Sequence, residues 1–159
     1  MNLWAWLENS SLSVAISYSK WMYSACEVAH FFSFFIIVGA TIMVDLRVLN
    51  LISQRRPVSE LARQLFPWTY IPLCVVILSG FLMFTTDAIH YAPSNVFQIK
   101  MLLTSLAIVS SLFLQRKVSN LEVASVIPVG AKVTAILSVV LWIGAIIAAV
   151  EGPALTGVG

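Results

Sequence analysis

Long apolar runs without formal charge alternate along the chain with short segments that contain Arg, Lys, Asp or Glu. Seventeen uncharged residues separate Glu27 from Asp45, and comparable runs follow over residues 64–86, 101–115 and 133–150. A membrane-spanning helix needs about 20 apolar residues. The pattern therefore predicts four transmembrane helices, which we place near residues 20–46, 66–90, 95–116 and 131–151.

The composition agrees with this pattern and excludes several classes of protein. Hydrophobic residues make up 60% of the 159 residues and charged residues only 10%, against about 25% charged residues in a typical globular domain. A water-soluble globule of this size could not bury so much apolar surface. The net charge of +2 is small and scattered, so nucleic-acid binding is excluded too. We expect residues 1–159 to form one all-α transmembrane four-helix bundle in a lipid bilayer, with outer faces apolar enough to allow a homo-oligomer.

The segments next to the first two spans carry weaker signals. The amino terminus lacks the basic start of a cleaved signal peptide, and Trp4 and Trp6 predict a short interfacial segment, because Trp prefers the headgroup level. The stretch PVSELARQLF predicts a short juxtamembrane helix with Ser59 as its N-cap. Pro67 and Pro72 are expected in the first turns of the second span, where a missing N–H costs little.

Ionisable groups within a membrane are costly and mark candidate functional sites. Here they gather toward one side of the predicted bundle. Glu27 and His30 share a helix face through their i, i+3 spacing, and Asp87 and His90 repeat that spacing. The group consists of Glu27, His30, Asp87, His90, Lys100 and Glu151.

Counting residues at about 1.5 Å each gives the depth of these groups. His30 lies roughly 25 Å from Arg47, and Lys100 lies roughly 24 Å from Arg116. His90 lies roughly 36 Å beyond the start of the second span, at the interface itself. The sequence therefore predicts that His30 and Lys100 are level within the bundle, while His90 is higher.

Each of these residues also has a purely structural interpretation. His90 fits an interfacial side chain, Lys100 can extend to the headgroups, and His30 can bond a neighbouring helix. Asp45 and Arg47 are expected to end the first span at the cytoplasmic surface. Among functional interpretations, His30 suits axial ligation of haem iron in a bundle core. A divalent metal at the two carboxylate–histidine pairs and a proton path through Glu27 and His30 are the alternatives.

A haem between helices also needs small residues that let the flat ring enter. The candidates are Ser33, Gly39, Ala40, Ser79, Gly80, Gly144, Ala145 and Ala148. The same residues serve close packing of transmembrane helices, so this signal is weak.

The stretch CEVAHFFSFFIIVGATIMVDLRVLNL, followed later by FQIKMLL, resembles a known group of membrane proteins. It is similar to the HemJ-type protoporphyrinogen oxidases and CopD-like copper-resistance proteins, small polytopic proteins that bind haem. The positions that match are His30, Gly39 and Arg47, together with Lys100 at the start of a later helix. The resemblance covers residues 20–115. It differs in Glu27, in the additional His90 and in Asp45 before the Arg.

The resemblance implies haem b bound through His30 and Lys100. We therefore expect a cytochrome b-like protein with one haem b near the outer leaflet and His30 as axial ligand to the iron. Lys100 or His90 would supply the second ligand or contact the propionates, and Glu27 would bond the imidazole or handle a proton. The expected function is electron transfer with quinone or a periplasmic redox protein. The alternatives are a haem-dependent oxidoreductase acting on a porphyrinogen, and a metal-handling or structural subunit.

The distribution of basic residues predicts the orientation in a bacterial-type inner membrane. Seven lie on the side of the two loops that follow the first and third spans, and only Lys20 and Lys100 lie on the other side. The seven are Arg47, Arg55, Arg56, Arg63, Arg116, Lys117 and Lys132. Because basic loops stay in the cytoplasm, both termini should face away from it.

A reporter that is active only in the periplasm tests this orientation. Fused after Gly159 it should be active, and fused near Pro57 it should be silent, because the basic loops resist translocation. The reverse pattern would move the polar group to the cytoplasmic side.

Overall fold

In the computed structural model, which describes residues 2–52, 57–121 and 126–156 and side chains as far as Val150, every regular element is a helix. Arg55, Arg56 and Glu151, which the sequence analysis used, lie outside the described side chains. The helices are α1 Leu3–Glu8, α2 Ser11–Tyr18, α3 Met22–Val48, α4 Val58–Thr85, α5 Ala88–Tyr91, α6 Asn95–Ser119 and α7 Val129–Thr156. The prediction of an all-α protein with four spans is confirmed.

Helices α3, α4, α6 and α7 are each long and apolar enough to cross a membrane, and they form a four-helix bundle. Helix α3 packs along α4, α6 packs along α7, and the contacts α3–α7 and α4–α6 close the square. We call the end at which α1, α2 and α5 lie the upper end and the opposite end the lower end. Large apolar side chains such as Phe32, Ile77 and Val109 are exposed on the outside, as expected of a lipid-facing surface.

Buried apolar residues form two layers inside the bundle. The lower layer consists of Val44, Val48, Val58, Ala62, Leu114, Val118, Ala131 and Ala135. The middle layer consists of Ile37, Val38, Val76, Ala107 and Trp142. Trp142 is fully buried, and its ring meets that of Phe34 edge-on at 5.7 Å between centroids. Polar side chains lie above and below this middle layer.

Helix α4 is longer at its lower end than the sequence predicted. The stretch expected as a separate short helix is its first part, and the helix continues from Val58 through Pro67 and Pro72. Pro67 therefore lies in the third turn rather than the first, since one missing backbone hydrogen bond does not end a helix packed against neighbours. Ser59 is not the N-cap; Pro57 occupies that position, and Ser59 is buried within the helix.

Short helices at the upper end cover the end of α4. The hydroxyl of Ser13 on α2 donates to the carbonyl of Thr85 at 2.9 Å, which satisfies one of the carbonyls left free at a helix end. The Trp4 ring of α1 meets Phe84 edge-on at 5.9 Å. A carboxylate oxygen of Glu8 accepts the backbone N–H of Ile89 at 3.0 Å. Helix α4 ends at Thr85, and the predicted span to residue 90 is divided because α5 begins after Asp87.

Candidate functional site

The imidazole of His30 lies between α3 and α4 in the upper half of the bundle. Its Nδ1 is 3.1 Å from the carbonyl oxygen of Val76 and 3.1 Å from the Ser79 hydroxyl oxygen. A carbonyl can only accept, so this contact favours the tautomer that carries the proton on Nδ1. Within the described chain Nε2 has no hydrogen-bond partner. In metal-binding histidines the same type of contact at one nitrogen orients the other toward the metal.

Gly80 makes room for this arrangement. A Cβ at position 80 would lie 2.9 Å from Cε1 of His30 and 3.2 Å from its Nδ1. Real Cβ atoms do not approach other heavy atoms so closely, so any larger residue would displace the imidazole. Ser79 and Ser33 are buried beside it. The small residues predicted for these positions on α3 and α4 therefore face the histidine.

Gly39 does not belong to this group, although the sequence analysis included it. Nothing lies within 4 Å of a Cβ built at this position, and the residue is exposed. Nine residues at about 100° each place Gly39 on the face of α3 opposite His30. Its small size therefore does not open the interior of the bundle.

Lys100 is the second residue that the sequence predicted for the site of His30. It lies on α6, and its side chain is half-buried. Within the described chain it has no hydrogen-bond or ion-pair partner. That Lys100 and His30 lie at the same level stays a prediction.

Glu27 lies one turn above His30 on α3 and is half-buried. No hydrogen bond joins it to His30 in the described structure, where the imidazole is bonded through Nδ1 to α4. The predicted role of Glu27 as a hydrogen-bond partner of the imidazole is therefore not seen.

His90 lies apart from this group, on the short helix α5. Its side chain is 76% exposed, and its Nδ1 is 2.5 Å from a carboxylate oxygen of Asp87. The hydrogen bond to Asp87 and its negative charge raise the pKa of His90 above the usual value. The folded protein therefore favours the protonated form of His90. The stability that this protonation gives to the fold is lost as the pH rises through the raised pKa. The structure does not bring the two histidines together.

A second group of polar side chains, in the lower half, was missed as a group by the sequence analysis. Helix α3 ends at Val48, close to the end predicted at Asp45 and Arg47, but both side chains are buried in the bundle rather than exposed at its surface. The Ser138 hydroxyl donates to Oδ2 of Asp45 at 2.7 Å. Ser138 and Ser111 are joined at 2.8 Å, and the indole N–H of Trp142 donates to Ser111 at 3.0 Å. We call these four residues, Asp45, Ser111, Ser138 and Trp142, the lower polar network.

Neither group forms a conventional metal site. In the part of the chain that the structure describes, no three His, Cys, Asp or Glu side chains converge on one point. The alternative of a divalent metal held by two carboxylate–histidine pairs has no geometric support there, since His30 and His90 belong to different elements.

One family model matches nearly the whole chain. Residues 3–152 match the model of a family of unknown function, DUF6644. The chain belongs to that family. No curated protein and no solved structure matches it. The DUF6644 description assigns no activity and makes no link to the HemJ-type or CopD-like proteins, so that resemblance stays a prediction.

The fit between Gly80 and His30 can be tested by substitution. Gly80→Ala should move the imidazole away from Ser79 and destabilise the bundle by about 1–3 kcal/mol, the usual cost of overpacking a core. Histidine ring signals in ¹⁵N-edited spectra and unfolding in detergent report the two effects. Gly39→Ala is the matched control and should leave the His30 signals unchanged, because its Cβ has open space. Unchanged His30 signals in Gly80→Ala would contradict the packing described.

Proposed function

We propose that this multi-pass membrane protein binds one haem b in the upper half of its bundle, with His30 as axial ligand, and acts in electron transfer. The proposal rests on the orientation of the His30 imidazole. Its Nδ1 contacts a backbone carbonyl and a serine on α4, while Nε2 has no partner in the described chain. This is the orientation in which a histidine is prepared to bind iron.

The residues around His30 fit such a group chemically. Ser79 contacts the imidazole and Gly80 leaves space for it, and Lys100 offers an amine without a partner in the described chain. A neutral amine can ligate iron, and an ammonium can bind a propionate. Both uses would satisfy a polar group that is otherwise costly within a membrane.

Haem iron alternates between ferric and ferrous states, and this one-electron change is the chemistry that the group supplies when bound. The chain's own contribution is to orient the imidazole from α4 and to exclude water with the apolar middle layer below. A quinone or a periplasmic redox protein is the expected partner. We place the protein in a bacterial-type plasma membrane, with the upper end outside the cytoplasm.

Absorption spectra of the detergent-purified protein test the haem proposal. The wild type should show Soret and α bands, and His30→Ala should lose or strongly shift them because the axial ligand is gone. His90→Ala is the matched control, since it removes the other histidine of the chain from an exposed helix. Circular dichroism checks that both variants remain helical.

A wild type reconstituted with haem that shows no Soret band would refute the proposal, as would a His30→Ala variant with an unchanged spectrum. Oxidation of added porphyrinogen by the haem-loaded protein would favour the oxidase alternative over simple electron transfer. A protein without haem would leave the structural or metal-handling subunit as the interpretation.

The second ligand can be predicted from the positions of Lys100 and His90. Lys100 lies half-buried on α6, a helix of the bundle, whereas His90 is exposed and hydrogen-bonded to Asp87. Lys100→Met should therefore perturb the haem spectrum and midpoint potential more than His90→Ala does. Near-infrared magnetic circular dichroism of the ferric protein distinguishes His–Lys from bis-His ligation. A bis-His signature that disappears in His90→Ala would overturn this assignment.

A further inference from the structure

Asp45 is a carboxyl group buried within the lower half of a membrane protein. Its side chain is 1% exposed, and the hydrogen bond that the structure gives its carboxylate comes from the Ser138 hydroxyl on α7. Ionisable groups in such positions are rare and mark sites that handle ions or protons. The distance from His30, 15 residues along α3 or about 22 Å, separates this carboxyl from the haem site proposed above.

The lower polar network can accept either protonation state of this carboxyl. An indole N–H only donates, whereas a serine hydroxyl both donates and accepts. With Asp45 ionised, donation runs from Trp142 to Ser111, from Ser111 to Ser138 and from Ser138 to the carboxylate. With Asp45 protonated, its O–H can donate to Ser138 and Ser138 to Ser111. Ser111 then accepts from both Ser138 and Trp142 through its two lone pairs, and its own O–H turns to an acceptor outside these four residues.

Charged groups on the surrounding helices lie mainly at the lower surface. Arg63 on α4 and both Arg116 and Lys117 on α6 are exposed, and the Arg116 Nε–H donates to the Tyr70 hydroxyl. Among the other described residues at this end, Glu60 on α4 and Lys132 on α7 are half-buried, and Arg47 on α3 is buried and makes an interaction of its own. The hydroxyls of the network are therefore the close environment of Asp45 that the structure describes.

We propose that Asp45 is a reversible proton-binding site that exchanges with water at the lower end of the bundle. The carboxylate takes one proton from hydronium or a buffer acid and becomes a neutral carboxyl, without any change of oxidation state. The serines reverse their donor directions to match, and Trp142 stays the fixed donor at the end of the network. This site does not depend on haem.

The position of Asp45 favours access from one side. Helix α3 ends at Val48, three residues below Asp45, which corresponds to about 4.5 Å along the helix. Above it, among the described residues, Ile37, Val76 and Ala107 are apolar, the Thr41 hydroxyl donates to carbonyls of its own helix, and the indole N–H of Trp142 can only donate. Proton exchange is thus expected with the lower side only.

Infrared difference spectra of the wild-type protein in lipid vesicles, recorded between acidic and alkaline pH, test the proposal. A C=O band of a protonated carboxyl should appear on acidification and be absent in Asp45→Asn. Ser138→Ala should shift the frequency of this band, because the carboxyl loses its hydrogen-bond partner. Glu60→Gln is the matched control, since it removes another carboxyl at the same end and should leave the Asp45 band in place.

An acid-form band that persists unchanged in Asp45→Asn would overturn the proposal, as would a wild type without such a band at any pH at which its helices remain intact. If Asp45→Asn does not fold, Ser138→Ala tests the proposal instead. A C=O band that is unshifted in Ser138→Ala would exclude the lower polar network as the proton-binding site. Exchange into D₂O tests access. The band should shift rapidly to lower frequency, and a band that stays unshifted while exposed amides exchange would refute contact with water.

Discussion

Polar groups inside a hydrocarbon layer have no water to bond, so every one of them must find a partner within the protein or a ligand. This constraint explains the arrangement of the bundle around α3. Half of the most apolar stretch of α3 is buried, against 11% for α6, and α3 carries both His30 and Asp45. Each of these residues is turned toward a neighbouring helix that provides a partner, Ser79 on α4 for the histidine and Ser138 on α7 for the carboxyl.

The number of spans follows from the sequence because it depends on the helical rise and on the cost of charge in lipid. The rotation of each helix about its axis depends on packing, and the sequence carries little of that information. Asp45 illustrates the difference. Asp45 lies close to the end of α3 whether its side chain is exposed or buried. Its burial against Ser138 requires a particular rotation of α3 and α7 about their axes. Gly39 was misjudged for the same reason.

The serines were difficult to recognise for a second reason. Ser111 and Ser138 occur in apolar stretches where a hydroxyl is usually satisfied by the backbone of its own helix, as Thr41 is by the carbonyl of Ile37. Only the meeting of α6, α7 and α3 shows that these two hydroxyls bond each other and a carboxyl. A useful sequence signal would have been the combination of Asp45 with a tryptophan, whose N–H requires an acceptor when buried.

Trp142 contacts residues in both the upper and the lower half of the interior. Its N–H donates into the lower polar network, while its ring packs edge-on against Phe34, one helical turn below His30. Because the indole is fully buried, it cannot turn to another acceptor without disturbing the middle layer. The tryptophan therefore fixes the position of Ser111 whichever way the serine hydroxyls point. A change of charge at Asp45 can then be absorbed by rotation of two hydroxyls, and the packing around His30 does not need to move with it.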